Sequence, residues 1–313
     1  MKTTFRTRQP YADIFLDCAK SAPCRTPVRP ERFMKAMRMN RGGIATLTGL
    51  GLDGDGLERK NPVIVGLGDS VTAGHFEGLI TADPKKWFAQ VLALAGMQMS
   101  DIDPGVFGDP ARAFALIQEL AAKMPEGRGF PRGEITDARE SYLEKFRGKL
   151  IDKYEDTSVS AINAGIAGDH LIMMEKRLER DVLRYQPDLV LINGSLNWDD
   201  SMGTTAFYKE LLTRVVRRIQ DGTQADIILL TPNGIFDSDH ACSRLEERVA
   251  AIRDTAAEMR VCLADAYAVW EAAREAGCPW EELLANRHNH PGVEGHEVYA
   301  LTLMKLFDGD SAA

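Results

Sequence analysis

Four short segments of the chain carry the residue types that an acyl transfer needs. Gly68-Asp69-Ser70 ends an apolar run and is followed by Val71-Thr72-Ala73-Gly74. Asn163-Ala-Gly-Ile-Ala-Gly168-Asp169 is a glycine loop that lets a backbone N–H approach a substrate closely. Gly194-Ser-Leu-Asn197-Trp198 supplies a side-chain amide, and His288-Asn-His290-Pro291-Gly-Val-Glu-Gly295-His296 supplies imidazoles late in the chain. A hydroxyl, a base to take its proton and donors for an oxyanion are the requirements of that chemistry. Taken alone, Gly-Asp-Ser reads as a turn with an N-cap serine.

The same residue types admit other readings. Gly49-Leu-Gly51-Leu-Asp-Gly54 fits GxGxxG, but a charged turn and then a strand follow it where a dinucleotide site needs a helix. Asp53-Gly-Asp55-Gly lacks the closing Glu of a calcium loop. His75, His170, His288, His290 and His296 do not have the spacing of a helical zinc motif. Met173-Met174 and the tryptophans are expected in the core.

The elements that must position these groups alternate. Short apolar runs occur at Pro62–Gly68, Val159–Ala164, Asp188–Asn193, Asp226–Thr231 and Val261–Asp265, as buried strands do. Helical patterns separate most of them: a stripe through Leu171, Met174, Leu178 and Val182, and an Ala, Glu and Arg-rich stretch at Ser243–Arg260. Such alternation predicts βαβ units and a parallel sheet covered on both faces. Right-handed crossovers then place every strand C-terminus on one edge. Ligands bind at that edge in open α/β sheets, and a helix start there offers N–H groups to an anion.

Between the first two strands lies an insertion, about residues 79–157, expected to hold two or three helices. They either cap the strand edge or extend the first crossover. Asp83-Pro84 and Asp109-Pro110 look like N-caps followed by proline. Asp137 with Glu140 is the expected capping pair ahead of Tyr142, Leu143, Phe146 and Leu150. Residues 1–60 show no strong helical or strand period and are basic early on. They are expected to form an N-terminal extension packing on a main domain of residues 61–313.

The four segments, in their order and at strand ends, resemble the blocks of the GDSL/SGNH hydrolases, from about Val63 to Leu306. The resemblance implies a three-layer α/β/α sandwich with a flavodoxin-like parallel sheet. It implies Ser70 as nucleophile, His290 as base, and oxyanion donors from the Ser70 and Gly168 backbone and the Asn197 side chain. Asp69 and Asn286 are supporting candidates, and no cofactor or metal is implied. Two positions depart from the family pattern. Trp198 stands where Asp usually follows the block-three Asn, and Arg287 replaces the acid usually three residues before the histidine. A backbone carbonyl of the His288–Asn289 turn is therefore the expected partner of the His290 ring, ahead of Asn286 or a distant carboxylate.

Composition narrows the function classes. The 313-residue chain is 44% hydrophobic with a net charge of −8, which argues against a nucleic-acid surface. Its five cysteines (Cys18, Cys24, Cys242, Cys262, Cys278) form no disulfide framework or CxxC pair. No apolar run follows the early basic residues, so neither a secretory signal nor a membrane span is expected, and the cytoplasm is the expected location. The expected partner is a small-molecule or carbohydrate ester, with acetyl favoured because no long apolar groove is evident. A non-catalytic binding domain on the same fold and a metal-dependent phosphoesterase are the alternatives.

Overall fold

Each of the five apolar runs becomes a strand. In chain order the strands are β1 (Val63–Gly68), β2 (His75–Gly78), β3 (Glu134–Thr136), β4 (Ser160–Gly165), β5 (Leu189–Asn193), β6 (Asp226–Leu230) and β7 (Cys262–Ala264). A computed structural model of the chain describes residues 5–40, 61–78, 84–126, 134–155, 157–235 and 244–310. β2 and β3 pair with each other, and the other five form one sheet in the order β4-β1-β5-β6-β7. Every pair within that sheet is parallel, with Gly68 opposite both Gly165 and Asn193. Counted along the chain this is the 2-1-3-4-5 order of flavodoxin-like sheets, with its topological switch at β1.

The sheet divides the apolar residues by alternation. Ile64, Leu189, Leu191, Ile228 and Leu230 face one core, where they meet Leu143, Phe146 and Leu150 of α6 (Tyr142–Lys153) and Tyr299 and Leu303 of α13 (Val293–Met304). Val65, Leu67, Val190, Ile192, Ile227 and Leu229 face the other. There they meet Met174 of α7 (Leu171–Lys176), Leu211, Val215 and Ile219 of α9 (Thr205–Gly222), and Ile252 and Ala256 of α10 (Leu245–Met259). Helices on both faces make the predicted three layers. The stripe from Leu171 to Tyr185 is broken rather than continuous: α7 is followed by α8 (Leu178–Asp181) and a 3₁₀ turn.

Two helices in the N-terminal extension depart from expectation. Residues expected to lack a helical period form α1 (Tyr11–Ser21) and α2 (Glu31–Met39). Their buried residues recur at helical spacing, Ala12, Phe15 and Ala19 in the first and Phe33, Met34 and Met37 in the second, but prolines cut the pattern short. Phe15 packs edge-on against Trp270 of α11 (Ala266–Glu275), with ring centroids 4.9 Å apart, while the α2 residues join the first core. The extension thus packs into the main unit. Gly49–Gly54, with Asp53 and Asp55, lies outside the described residues, as does Cys242.

Phe76–Thr136 is a second compact unit. It holds α4 (Pro84–Leu94) and α5 (Pro110–Ala122), around Val91, Leu92, Ile102, Val106 and Leu120. Asp109 caps α5 as expected, its Oδ1 accepting from the N–H groups of Ala111 and Arg112; Asp83 is outside the described residues. The stretch expected as the insertion, residues 79–157, covers most of this unit and also α6, which belongs to the main unit. The cap of α6 is Ser141, whose hydroxyl accepts from Glu144 N–H at 3.5 Å, and not the Asp137–Glu140 pair. Asp137 instead accepts from Arg139 N–H in the preceding 3₁₀ turn.

Candidate active site

Ser70 opens α3 (Ser70–Ala73) at the C-terminal end of β1. Asp69 caps that turn, its Oδ1 accepting from Val71 N–H at 2.9 Å. Gly68 is required by close approach: a Cβ there would lie 1.9 Å from Thr72 Oγ1 and 2.8 Å from the Asn193 carbonyl. The Ser70 turn can therefore fold tightly against β5. His290, contributed by the loop before α13, reaches back across 220 residues to place Nε2 3.0 Å from Ser70 Oγ. Both side chains are buried. A hydroxyl and an imidazole at this distance can exchange a proton.

The glycine loop after β4 and the Asn197 loop after β5 meet at the same sheet edge. Asn197 Nδ2 donates to the Asp169 carbonyl at 3.0 Å, beside Gly168. Gly168 has φ +72°, a left-handed conformation that glycine adopts without strain. The strands behind these loops, β4 and β5, flank β1, so Ser70, Gly168 and Asn197 gather at three adjacent strand ends.

A profile of known families decides the classification. The model for the GDSL-like lipase/acylhydrolase family matches residues 125–298, more than half of the chain. The chain belongs to this family. As an acylhydrolase of the GDSL type it is a carboxylic-ester hydrolase. The matched stretch contains Gly168, Asn197 and His290, while Gly68-Asp69-Ser70 lies upstream of it, beyond the Phe76–Thr136 unit.

Solved structures agree on the fold. A catalytic mutant of an acetylxylan esterase from Geobacillus stearothermophilus superposes with a TM-score of 0.51 at 19% identity, over 79% of this chain and 94% of that one. A putative GDSL-like lipase from Parabacteroides merdae gives 0.53 at 16% identity, over 79% and 95%. No curated protein matches the chain.

Several residues of this GDSL-type chain hold the site together. Arg177 is buried and joins the end of β1 to the loop after β4. Its Nε donates to Asp169 Oδ2 at 2.7 Å, its Nη1 to the Ala164 carbonyl at 2.7 Å and its Nη2 to the Gly68 carbonyl at 2.9 Å. Nη1 also meets Asp181 at 2.9 Å. One guanidinium thus ties the strand before Ser70 to the loop that carries Gly168, using the fork geometry of arginine. No sequence signal marked it beyond an arginine amid an apolar stripe.

The two family departures have structural answers. Trp198, in the place of the usual Asp, is buried against Tyr208 and donates from Nε1 to the Gly203 carbonyl at 3.1 Å, so it is a packing residue. Arg287 adopts φ +56° and leaves its side chain 65% exposed, 3.8 Å from Glu282. The Asn286 side-chain oxygen Oδ1, one candidate partner for the imidazole, accepts from the backbone N–H groups of His288, Asn289 and His290 at 3.0, 3.0 and 2.9 Å. Three donors share its two lone pairs, so Asn286 shapes the loop backbone.

The remaining histidines divide in role. His75 lies edge-on to His290, with ring centroids 6.2 Å apart. His296 is buried in α13, where its Nδ1 accepts from Tyr142 N–H at 3.1 Å. Accepting there requires a neutral ring, and burial, helped by nearby Lys145, pushes its pKa down to about 3. Among the described residues no group of three His, Cys, Asp or Glu is arranged to hold a metal ion. Among them, too, no helix is long and apolar enough to cross a membrane.

Burial also dominates the electrostatics beneath Ser70. It pushes the Asp69 carboxyl up to about 7; Asp169 adds to the rise, and the Val71 N–H opposes it. Burial likewise raises the hydroxyls of Tyr142 and Tyr299. Tyr142 shares a 2.8 Å hydrogen bond with Thr72 Oγ1 at the base of the Ser70 turn.

Proposed function

We propose that Ser70 and His290 are the nucleophile and general base of a serine esterase that removes small acyl groups, acetyl foremost, from a carbohydrate. The observation that carries the pairing is the 3.0 Å contact between Ser70 Oγ and His290 Nε2 at the strand edge. His290 takes the Ser70 proton as the hydroxyl attacks the ester carbonyl, then protonates the leaving alcohol. Water repeats the attack on the acyl-serine and releases the acid. The developing oxyanion is received by the backbone N–H of Ser70, that of Gly168 and the Asn197 amide, donors aimed at charge that exists only in the intermediate.

The carbohydrate part of the reading draws on structural neighbours named as acetylxylan esterases. It also draws on the lack of a long apolar groove in the sequence pattern. The test is a panel of p-nitrophenyl esters from acetate to palmitate, run beside acetylated xylo-oligosaccharides with acetate release measured. The proposal expects kcat/KM to fall steeply beyond butyrate and acetate to be freed from the oligosaccharide. Preference for long acyl chains would make the enzyme a lipase. Cleavage of the acetyl p-nitrophenyl ester without release from the oligosaccharide would overturn the carbohydrate assignment.

A further inference from the structure

The loop that carries His290 is held at every backbone hydrogen-bonding group next to that residue. The peptide bond between Asn289 and His290 is a planar unit, so fixing both of its polar ends fixes its orientation. Its N–H donates to Asn286 Oδ1 at 2.9 Å, and its carbonyl oxygen accepts from Asn233 Nδ2 at 2.9 Å. On the far side, the His290 carbonyl accepts from Ala285 N–H at 2.8 Å. The first and third of these contacts are local. Asn233 alone of the three partners reaches the loop from elsewhere in the fold, from the end of β6, 56 residues earlier.

Asn233 is itself built in firmly. It is fully buried; its second Nδ2 hydrogen goes to the Gly234 carbonyl at 2.8 Å, and its Oδ1 accepts from Tyr299 OH at 3.2 Å. The amide orientation follows from those partners: two carbonyls face the nitrogen and one hydroxyl faces the oxygen. Tyr299 projects from α13, the helix that begins just after His290, and packs 5.2 Å from Tyr142, whose hydroxyl bonds Thr72 of the Ser70 turn. Asn233 therefore links the His290 loop to the sheet and to the helix that follows it.

We infer that Asn233 is a positioning residue for His290, holding the Asn289–His290 peptide so that the imidazole meets Ser70. The inference rests on the proposed role of His290 as base. Loss of the Nδ2 donor frees the one carbonyl that ties this peptide to β6. A displacement of about 1 Å at a reacting group costs on the order of 10²-fold in rate, and the effect falls on kcat because the substrate contacts are untouched.

A double-mutant cycle tests this. Asn233→Leu, His290→Ala and the double variant are assayed for kcat and KM, with thermal melts to verify folding. Asn233→Asp serves as the second variant, since it keeps the size and the acceptor for Tyr299 but loses the donor to Asn289 when ionised. We expect Asn233→Leu, and Asn233→Asp at a pH where its carboxyl is ionised, to lose about 10²-fold in kcat with KM within about twofold. In the His290→Ala background the same change should cost less than about twofold, because a positioning residue has nothing left to position. An equal loss in both backgrounds would assign Asn233 a structural role, and wild-type kcat in both variants would remove any role. A His290→Ala enzyme with full activity would instead overturn the base assignment itself.

Discussion

Asp69 offers a prediction whose size follows from its surroundings. Its carboxyl is pushed from an ordinary 3.8 up to about 7, chiefly by burial. Between those values the native protein holds a proton that the unfolded chain has released, so stability falls as pH rises through the window. A shift of roughly three units at 1.36 kcal/mol each amounts to about 4 kcal/mol lost by the time pH exceeds 7. Asp69→Asn keeps the Oδ1 acceptor for Val71 N–H and cannot ionise. Leaving the new amide N–H groups unsatisfied costs about 1–3 kcal/mol, but that offset does not vary with pH. Urea unfolding from pH 4 to pH 8.5 should therefore show the variant gaining about 4 kcal/mol relative to the wild type, mostly between pH 4 and 7. Parallel stability curves over that range would show that the Asp69 carboxyl titrates at its ordinary value and that burial is not shifting it.

Arg177→Met should destabilise the fold by about 3–5 kcal/mol, because it leaves the buried Asp169 carboxylate without its guanidinium. A melting temperature within a degree or two of wild type would refute that. Asn197→Ala should lower kcat roughly 10²–10³-fold with little change in KM. A change in KM alone would make Asn197 a substrate-binding residue. EDTA should leave activity unchanged, since the proposed mechanism uses no Lewis acid; loss on chelation and recovery with Zn²⁺ would contradict it.

The central sheet was legible because β1, β5, β6 and β7 are largely buried and read as short apolar runs, while the partly exposed edge strand β4 carries Ser160 and Asn163 within its run. The candidates Ser70, Gly168, Asn197 and His290 stand out in the sequence because three of them lie just past strand ends and the fourth in the loop before the last α-helix, in a recognisable order. What escaped the reading depends on distant contacts. Asn233 meets Asn289 and Tyr299, 56 and 66 residues away, and Arg177 meets Gly68, 109 residues away. Nothing in the local pattern of Thr231-Pro-Asn233-Gly marks such a partner. The helices α1 and α2 escaped because they are short and their stability comes from packing Phe15 and Phe33 against the main unit. The sequence does not single out Ser141 as the cap because Asp137 and Glu140 offer an equally good local pattern one turn earlier.

The central claim is that Ser70 becomes acylated. It is tested most directly by quenching the enzyme with acid during turnover of p-nitrophenyl acetate and analysing its peptides by mass spectrometry. The account predicts an acetyl adduct on Ser70, absent from Ser70→Ala, with the variant's kcat lower on the order of 10⁶-fold. An adduct on another residue, or a Ser70→Ala enzyme that turns over at the wild-type rate, would contradict it.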